Sequence, residues 1–116
     1  MVDDSSTIRL QARRTLVQAG YSVVEAVDGL DGLDKLASSC AVALILCDVN
    51  MPRMSGIEFV EALAKFGMPM PPVVMLTTEG HPKLIQQAKA SGAKGWMMKP
   101  FKPDVLIAAA KRLIAA

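Results

Sequence analysis

Hydrophobic positions recur along this chain in two rhythms, short unbroken runs and longer stretches spaced by three or four. Val42-Ala43-Leu44-Ile45-Leu46-Cys47, Pro72-Val73-Val74-Met75-Leu76 and Gly95-Trp96-Met97-Met98 are runs bounded by turn residues, the pattern of strands buried on both faces of a parallel sheet. Tyr21-Ser22-Val23-Val24-Glu25-Ala26 alternates instead, which predicts an edge strand with one polar side. Between the runs lie helical stretches. Ser5-Ser6 cap a first helix with Ile8, Ala12, Leu16 and Ala19 on its inner face, and Gly20 is its left-handed stop. Asp28-Gly29 opens a second helix carrying Leu30, Leu33, Leu36 and Ala37; Gly32 inside it costs about 1 kcal/mol relative to Ala. Ile57 to Phe66, closed by Gly67, turns Ile57, Val60, Leu63 and Ala64 inward. Pro82 starts a helix that runs to Ser91 and stops at Gly92, and Pro103 starts the last, with Val105, Leu106, Ala109, Leu113 and Ile114 as its stripe. This alternation predicts an α/β fold with parallel strands, right-handed crossovers and helices on both faces.

Composition narrows the class. At 116 residues the chain is one domain, 1–116, and Met68-Pro69-Met70-Pro71-Pro72 is a stiff linker inside it. Hydrophobic content of 52% with only 4% aromatic describes an aliphatic core. A net charge of +2 is too slight to argue for nucleic acid, and Arg13-Arg14 and Lys111-Arg112 read as solvated helix faces. No apolar run reaches the ~20 residues that cross a bilayer, and the amino terminus lacks the pattern of a signal peptide. Cys40, in a turn, and Cys47, in an apolar strand, suit a reduced, cytoplasmic protein better than a disulfide framework. With the lone His81, they are too few for a metal–thiolate site.

The chemistry sits where the runs end. Asp48 closes one strand, Asp3-Asp4 follow Met1-Val2 at the end of another, Thr77-Thr78 close a third, and Lys99-Pro100-Phe101 follow a fourth. In open α/β sheets the carboxyl edge of the strands is the binding edge. Three carboxylates gathered there call for a divalent cation or for protonation. A hydroxyl and an ammonium beside them complete a site for a phosphoryl group on a carboxylate with Mg²⁺ next to it.

Asp3-Asp4, Asp48 with Met51-Pro52 and Gly56 behind it, Thr77, and Lys99-Pro100-Phe101 together resemble the motif set of response-regulator receiver domains, most of all the single-domain, chemotaxis-type (CheY-like) members. The likeness runs in order through essentially the whole chain. It implies a flavodoxin-like, doubly wound, five-stranded parallel sheet of order 2-1-3-4-5. It implies Asp48 as phosphoacceptor, Asp4 as a direct Mg²⁺ ligand, Asp3 as an outer one and Asn50 as a ligand through its backbone carbonyl. Thr77 and Lys99 become the groups that hold phosphoryl oxygens, Thr77 and Trp96 the switch pair, and Asn50 and Glu79 the side chains that set the lifetime of the acyl phosphate. The phosphoryl donor is a histidine kinase or phosphotransfer protein. A downstream protein reads the face of the fourth helix, fifth strand and fifth helix, and dimers through that face or by strand exchange are compatible with the likeness. The protein is then not an enzyme beyond its own phosphotransfer and autodephosphorylation. The runner-up is the same receiver domain taken from a larger multidomain regulator or hybrid kinase.

A Mg²⁺-dependent phosphohydrolase is disfavoured because the residue two beyond Asp48 is Asn50, where such enzymes carry an acidic proton donor. An interaction module without phosphate chemistry is disfavoured by the intact Asp, Thr and Lys set. One departure from the family stands out: the first strand is cut short to Met1-Val2. In the implied order that strand is central, so its neighbours should be left with unpaired backbone groups. Residues ahead of Met1, or a strand exchanged between chains, would supply the pairing.

Overall fold

The computed structural model describes residues 1–38, 42–49, 54–65, 71–77, 82–99 and 101–114. Its elements are α1 (Ser6–Gln18), α2 (Gly29–Ser38), β1 (Ile45–Asp48), α3 (Gly56–Lys65), β2 (Val73–Thr77), α4 (Pro82–Ser91), β3 (Gly95–Met98) and α5 (Pro103–Ile114). Their starts follow from local chemistry. The Ser5 hydroxyl accepts the Ile8 N–H at 3.4 Å ahead of α1, and the Asp28 carboxylate accepts the Asp31 N–H at 2.9 Å ahead of α2. Ser55 and Glu58 cap α3 reciprocally, each backbone N–H bonded to the other's side chain. Gly20, at φ 97°, ends α1 where an L side chain would be strained.

The three named strands are parallel in the order β1-β2-β3, with Cys47 opposite Met75 and Thr77 opposite Met98. Val2 extends the sheet beyond β1, bridging Cys47 on one side and Ala26 on the other, both in parallel. The spatial order is therefore the Ala26 segment, Val2, β1, β2, β3, which is the expected 2-1-3-4-5. Strand alternation divides the core into two layers. Ile45, Cys47, Val73 and Met75 pack with Phe59, Val60 and Leu63 on one face. Leu46, Val74, Leu76 and Met97 pack with Ala12, Leu16, Leu106 and Ala110 on the other.

Several helix stripes differ from the sequence expectation. Val105 and Leu30 are exposed, as are Ala37 and Ala64, whereas Phe59 and Ala110 are wholly buried. Each sheet face needs only a narrow stripe from a helix, and Leu106–Ala110 and Phe59–Leu63, four apart, supply it. Gly32 serves packing: a Cβ there would lie 2.9 Å from the Phe59 ring and 3.2 Å from Val2. Gly67, the linker 68–70 and the ends of several loops lie outside the described residues.

The segments on either side of Val2 form less strand than expected, while Asp3 and Asp4 still lie in the acidic pocket. The expected strand over Tyr21–Ala26 is reduced to the bridge at Ala26, and the run from Val42 becomes strand only at Ile45. Met1 adds two bonds to the Ala26 side, its amino group on Val24 O and its carbonyl under the Ala26 N–H, both at 2.9 Å. A cavity of about 350 Å³ opens between the two segments, lined by both and by side chains of both core layers, among them Leu16, Leu36, Phe59 and Ala110. Among the described residues no helix is long and apolar enough to cross a membrane.

Candidate functional site

Because the strands are parallel, Asp3, Asp48, Thr77 and Lys99 all emerge at one edge of the sheet. The backbone laces that edge together. Asp48 N–H bonds to Val2 O at 2.8 Å, Val49 N–H to Leu76 O at 3.0 Å, Lys99 N–H to Thr77 O at 2.8 Å and Asp3 N–H to Ala26 O at 3.0 Å. From the other side, the first turn of α3 presses on Asp48. Gly56 N–H bonds to Val49 O at 2.9 Å, and a Cβ on Gly56 would overlap the Asp48 carbonyl. Only glycine allows this approach, which gives a physical reason for a residue that the sequence offered only through the family likeness.

Lys99 organises the charges. Its Nζ lies 2.7 Å from Asp3 Oδ2 and 3.2 Å from Asp48 Oδ2, with little of any of the three side chains exposed. Burial pulls the Lys99 pKa down, but the hydrogen bond to Asp3 and the charges of Asp48 and Asp3 outweigh it, so the net shift is upward. The ammonium is therefore firmly protonated at neutral pH. Asp3 is fully buried, and its Oδ1 accepts the Ser5 N–H at 2.8 Å.

Asp3, Asp4 and Asp48 each offer a carboxylate oxygen, all within 4.8 Å of one another, and Asp4 is on the exposed side. Asp3 Oδ2 is buried, with the Lys99 ammonium 2.7 Å away. An all-oxygen cluster of this kind is suited to a hard divalent cation such as Mg²⁺. Behind Asp48, the Cys47 thiol is wholly buried. Burial, followed by the Asp48 charge, pushes its pKa far above the usual thiol range, so it is inert packing, as expected.

The structure thus brings Asp3, Asp4, Asp48 and Lys99 together, with buried Thr77 at the adjoining strand end. Trp96 stands apart on the outer strand β3, 41% exposed, with Lys89 Nζ 4.5 Å from its ring centroid. Asn50, Glu79, Met51-Pro52, Pro100, Thr78, Cys40 and His81 lie outside the described residues. Two features escaped sequence reading. Lys89 and Trp96 are seven residues apart with a turn between them, so no helix periodicity links them. Arg9, which falls within the predicted first helix, donates from Nη1 to Asp3 O at 2.6 Å.

Comparison with known proteins agrees with this geometry. Residues 1–111 match the response regulator receiver domain. The chain is 36% identical to chemotaxis protein CheY1 of Helicobacter pylori, covering 91% of this chain and 87% of that protein. It is 37% identical to a CheY homolog of Campylobacter jejuni, covering 91% and 83%. The crystal structure of Vibrio cholerae chemotaxis protein CheY4 superposes with a TM-score of 0.89 at 43% identity, over 97% of this chain and 93% of that one. The receiver domain of NtrX from Brucella abortus gives 0.90 at 29% identity, over 99% and 96%. A parallel sheet with an acidic pocket and a lysine at its carboxyl edge, and relatives of this kind over nearly the whole chain, lead to one conclusion: this chain belongs to the response regulator receiver domain family, as a CheY-like, phosphorylation-activated switch of two-component signalling.

Proposed function

We propose that Asp48 is the phosphoacceptor of this switch, with Asp3, Asp4, Asp48 and the Asn50 carbonyl holding Mg²⁺. The observation that supports this most is the Lys99 ammonium, in contact with both Asp3 and Asp48 in a nearly dry pocket. Asp48 Oδ attacks phosphorus of a phosphohistidine on a kinase or phosphotransfer protein. The O–P bond of an acyl phosphate forms as the P–N bond breaks, and the imidazole leaves with a proton from solvent. Lys99 holds Asp48 ionised and then pairs with a phosphoryl oxygen, and Thr77 donates its hydroxyl to another. Mg²⁺, when bound, neutralises carboxylate and phosphoryl charge. Asn50 and Glu79 position the water that later hydrolyses the acyl phosphate, so the protein resets itself.

Phosphorylation shifts a two-state equilibrium through Thr77 and Trp96. A partner protein in the cytoplasm reads the face of α4, β3 and α5, where Trp96, Met98 and Val105 are exposed. The test is labelling with acetyl phosphate or beryllofluoride in Mg²⁺. Wild-type protein should form one adduct, mapped to Asp48, and Asp48→Asn none; equal labelling of the two would defeat the assignment. Light scattering on the labelled protein tests for a dimer, by this face or by strand exchange.

A further inference from the structure

We propose that Arg9, oriented by Glu25, is a positioning residue for the cation site. This rests on the Mg²⁺ reading above. Backbone bonds tie Val2 and the Asp3 N–H to the neighbouring segments, and the side of Asp3 that leads to Asp4 is held by other groups. Four contacts restrain Asp3: its N–H on Ala26 O, its carboxylate oxygens on Ser5 N–H and the Lys99 ammonium, and its carbonyl under the Arg9 guanidinium at 2.6 Å. That carbonyl belongs to the peptide plane that ends at Asp4 N. Holding a planar group by its oxygen fixes where the next residue starts, and hence where the exposed Asp4 carboxylate points relative to Asp48.

The guanidinium is itself restrained. Its side chain is 16% exposed, and Nε lies 3.7 Å from Glu25 Oε1. The other oxygen of Glu25 is held by Arg13 at 2.9 Å. Glu25 precedes Ala26, the residue that accepts the Asp3 N–H. Arg9 and Glu25 therefore close a loop through α1, the acidic pair and the edge segment. Asp3 is fixed on both sides of its Cα by the same neighbours.

Charge and position make opposite predictions, which gives the inference its test. A guanidinium near a cation site repels the cation, so an electrostatic role predicts tighter Mg²⁺ binding once Arg9 is neutralised. A positioning role predicts weaker binding. Mg²⁺ is titrated into wild type, Arg9→Gln, Arg9→Lys and, as a charge control, the exposed Arg14→Gln, followed by calorimetry and Trp96 fluorescence, with circular dichroism confirming the fold. Arg9→Gln should weaken Mg²⁺ about ten-fold, the size of effect that removing an outer-shell partner produces. Arg9→Lys should recover part of the loss, and Arg14→Gln should match wild type. The loss should persist in high salt, which screens the long-range charge effect.

Should Arg9→Gln not fold, Arg9→Lys carries the test: it keeps the charge and loses the planar fork, so a purely electrostatic role predicts unchanged Mg²⁺ binding and a positioning role weaker binding. Unchanged or tighter binding in a folded Arg9→Gln protein, or in Arg9→Lys when that stands in for it, overturns the inference and leaves the phosphoacceptor reading intact. A wild-type protein that binds no Mg²⁺ overturns both.

Discussion

The two ends of this sheet are built to different standards. At the carboxyl edge every strand end is tied to its neighbour by the backbone, and two carboxylates and an ammonium are packed with little water. At the opposite end a cavity of about 350 Å³ lies between Ser22–Val24 and Val42–Leu44, with the Met1 amino group bonded to Val24 O at its border. The same residue separates the two regimes. Val2 supplies the last bridge, and Asp3, one step further, is already fixed. A functional pole can thus be specified by the local contacts of a few residues beside a loosely filled region of the same sheet. Folding stability and site geometry become separable, and experiments should be able to move one without the other.

The largest effect is expected from Lys99→Met, which strikes the ordered pole. It leaves two buried carboxylates facing each other without their cation, a loss on the order of 3 kcal/mol. Denaturant titrations should show that loss in the presence of a chelator, and Mg²⁺ should restore part of it. The pH dependence has a definite sign. A lysine whose folded pKa is raised contributes stability that is fully present below its ordinary value of 10.5 and fades as pH climbs through the folded value. Wild type should therefore converge on Lys99→Met only in strongly alkaline solution; a constant gap across that range would mean that the ion pair is not what Lys99 contributes.

The next variant targets the other pole. Four β-branched residues joined ahead of Met1 should enter the cavity and pair with both walls. With net gains of ~1 kcal/mol per backbone hydrogen bond, stability should rise by roughly 2 kcal/mol or more. Mg²⁺ affinity should stay where it was, and a shift in affinity would show the poles to be coupled.

Gly56→Ala presses a methyl group toward the Asp48 carbonyl. Overpacking of this kind costs roughly 1–3 kcal/mol, and beryllofluoride labelling should fall because Asp48 itself must move. The smallest effect belongs to Lys89→Met, which removes a cation from the Trp96 ring. At an exposed site this is worth about 0.5–1 kcal/mol, visible as a change in Trp96 emission with the melting temperature nearly unchanged. An emission spectrum identical to wild type would mean that Lys89 does not hold the ring.

What the sequence disclosed follows the same division. Asp48, Thr77 and Lys99 were legible because each directly follows or ends an unbroken apolar run, and run ends in parallel sheets share an edge. The strand order needed the family likeness, since periodicity says nothing about which strands are neighbours. Tyr21–Glu25 read as strand because alternation reports the character of side chains, whereas strand formation depends on a partner elsewhere in the chain. Val105 and Leu30 read as core for a similar reason: apolar character at helical spacing does not reveal how narrow a stripe the sheet will cover. Arg9 and Lys89 were invisible as functional residues because a long cation contacts whatever tertiary structure brings near, and sequence spacing does not encode that.

Cys47 gives the molecule a clock. Its thiol has no exposure and is held protonated by its surroundings, so alkylating reagents reach it only when β1 parts from its neighbours. In a Cys40→Ser background the rate of modification would time those openings one residue from Asp48. It would show whether breathing begins at the open cavity and travels toward the pocket, and whether a phosphoryl mimic slows it.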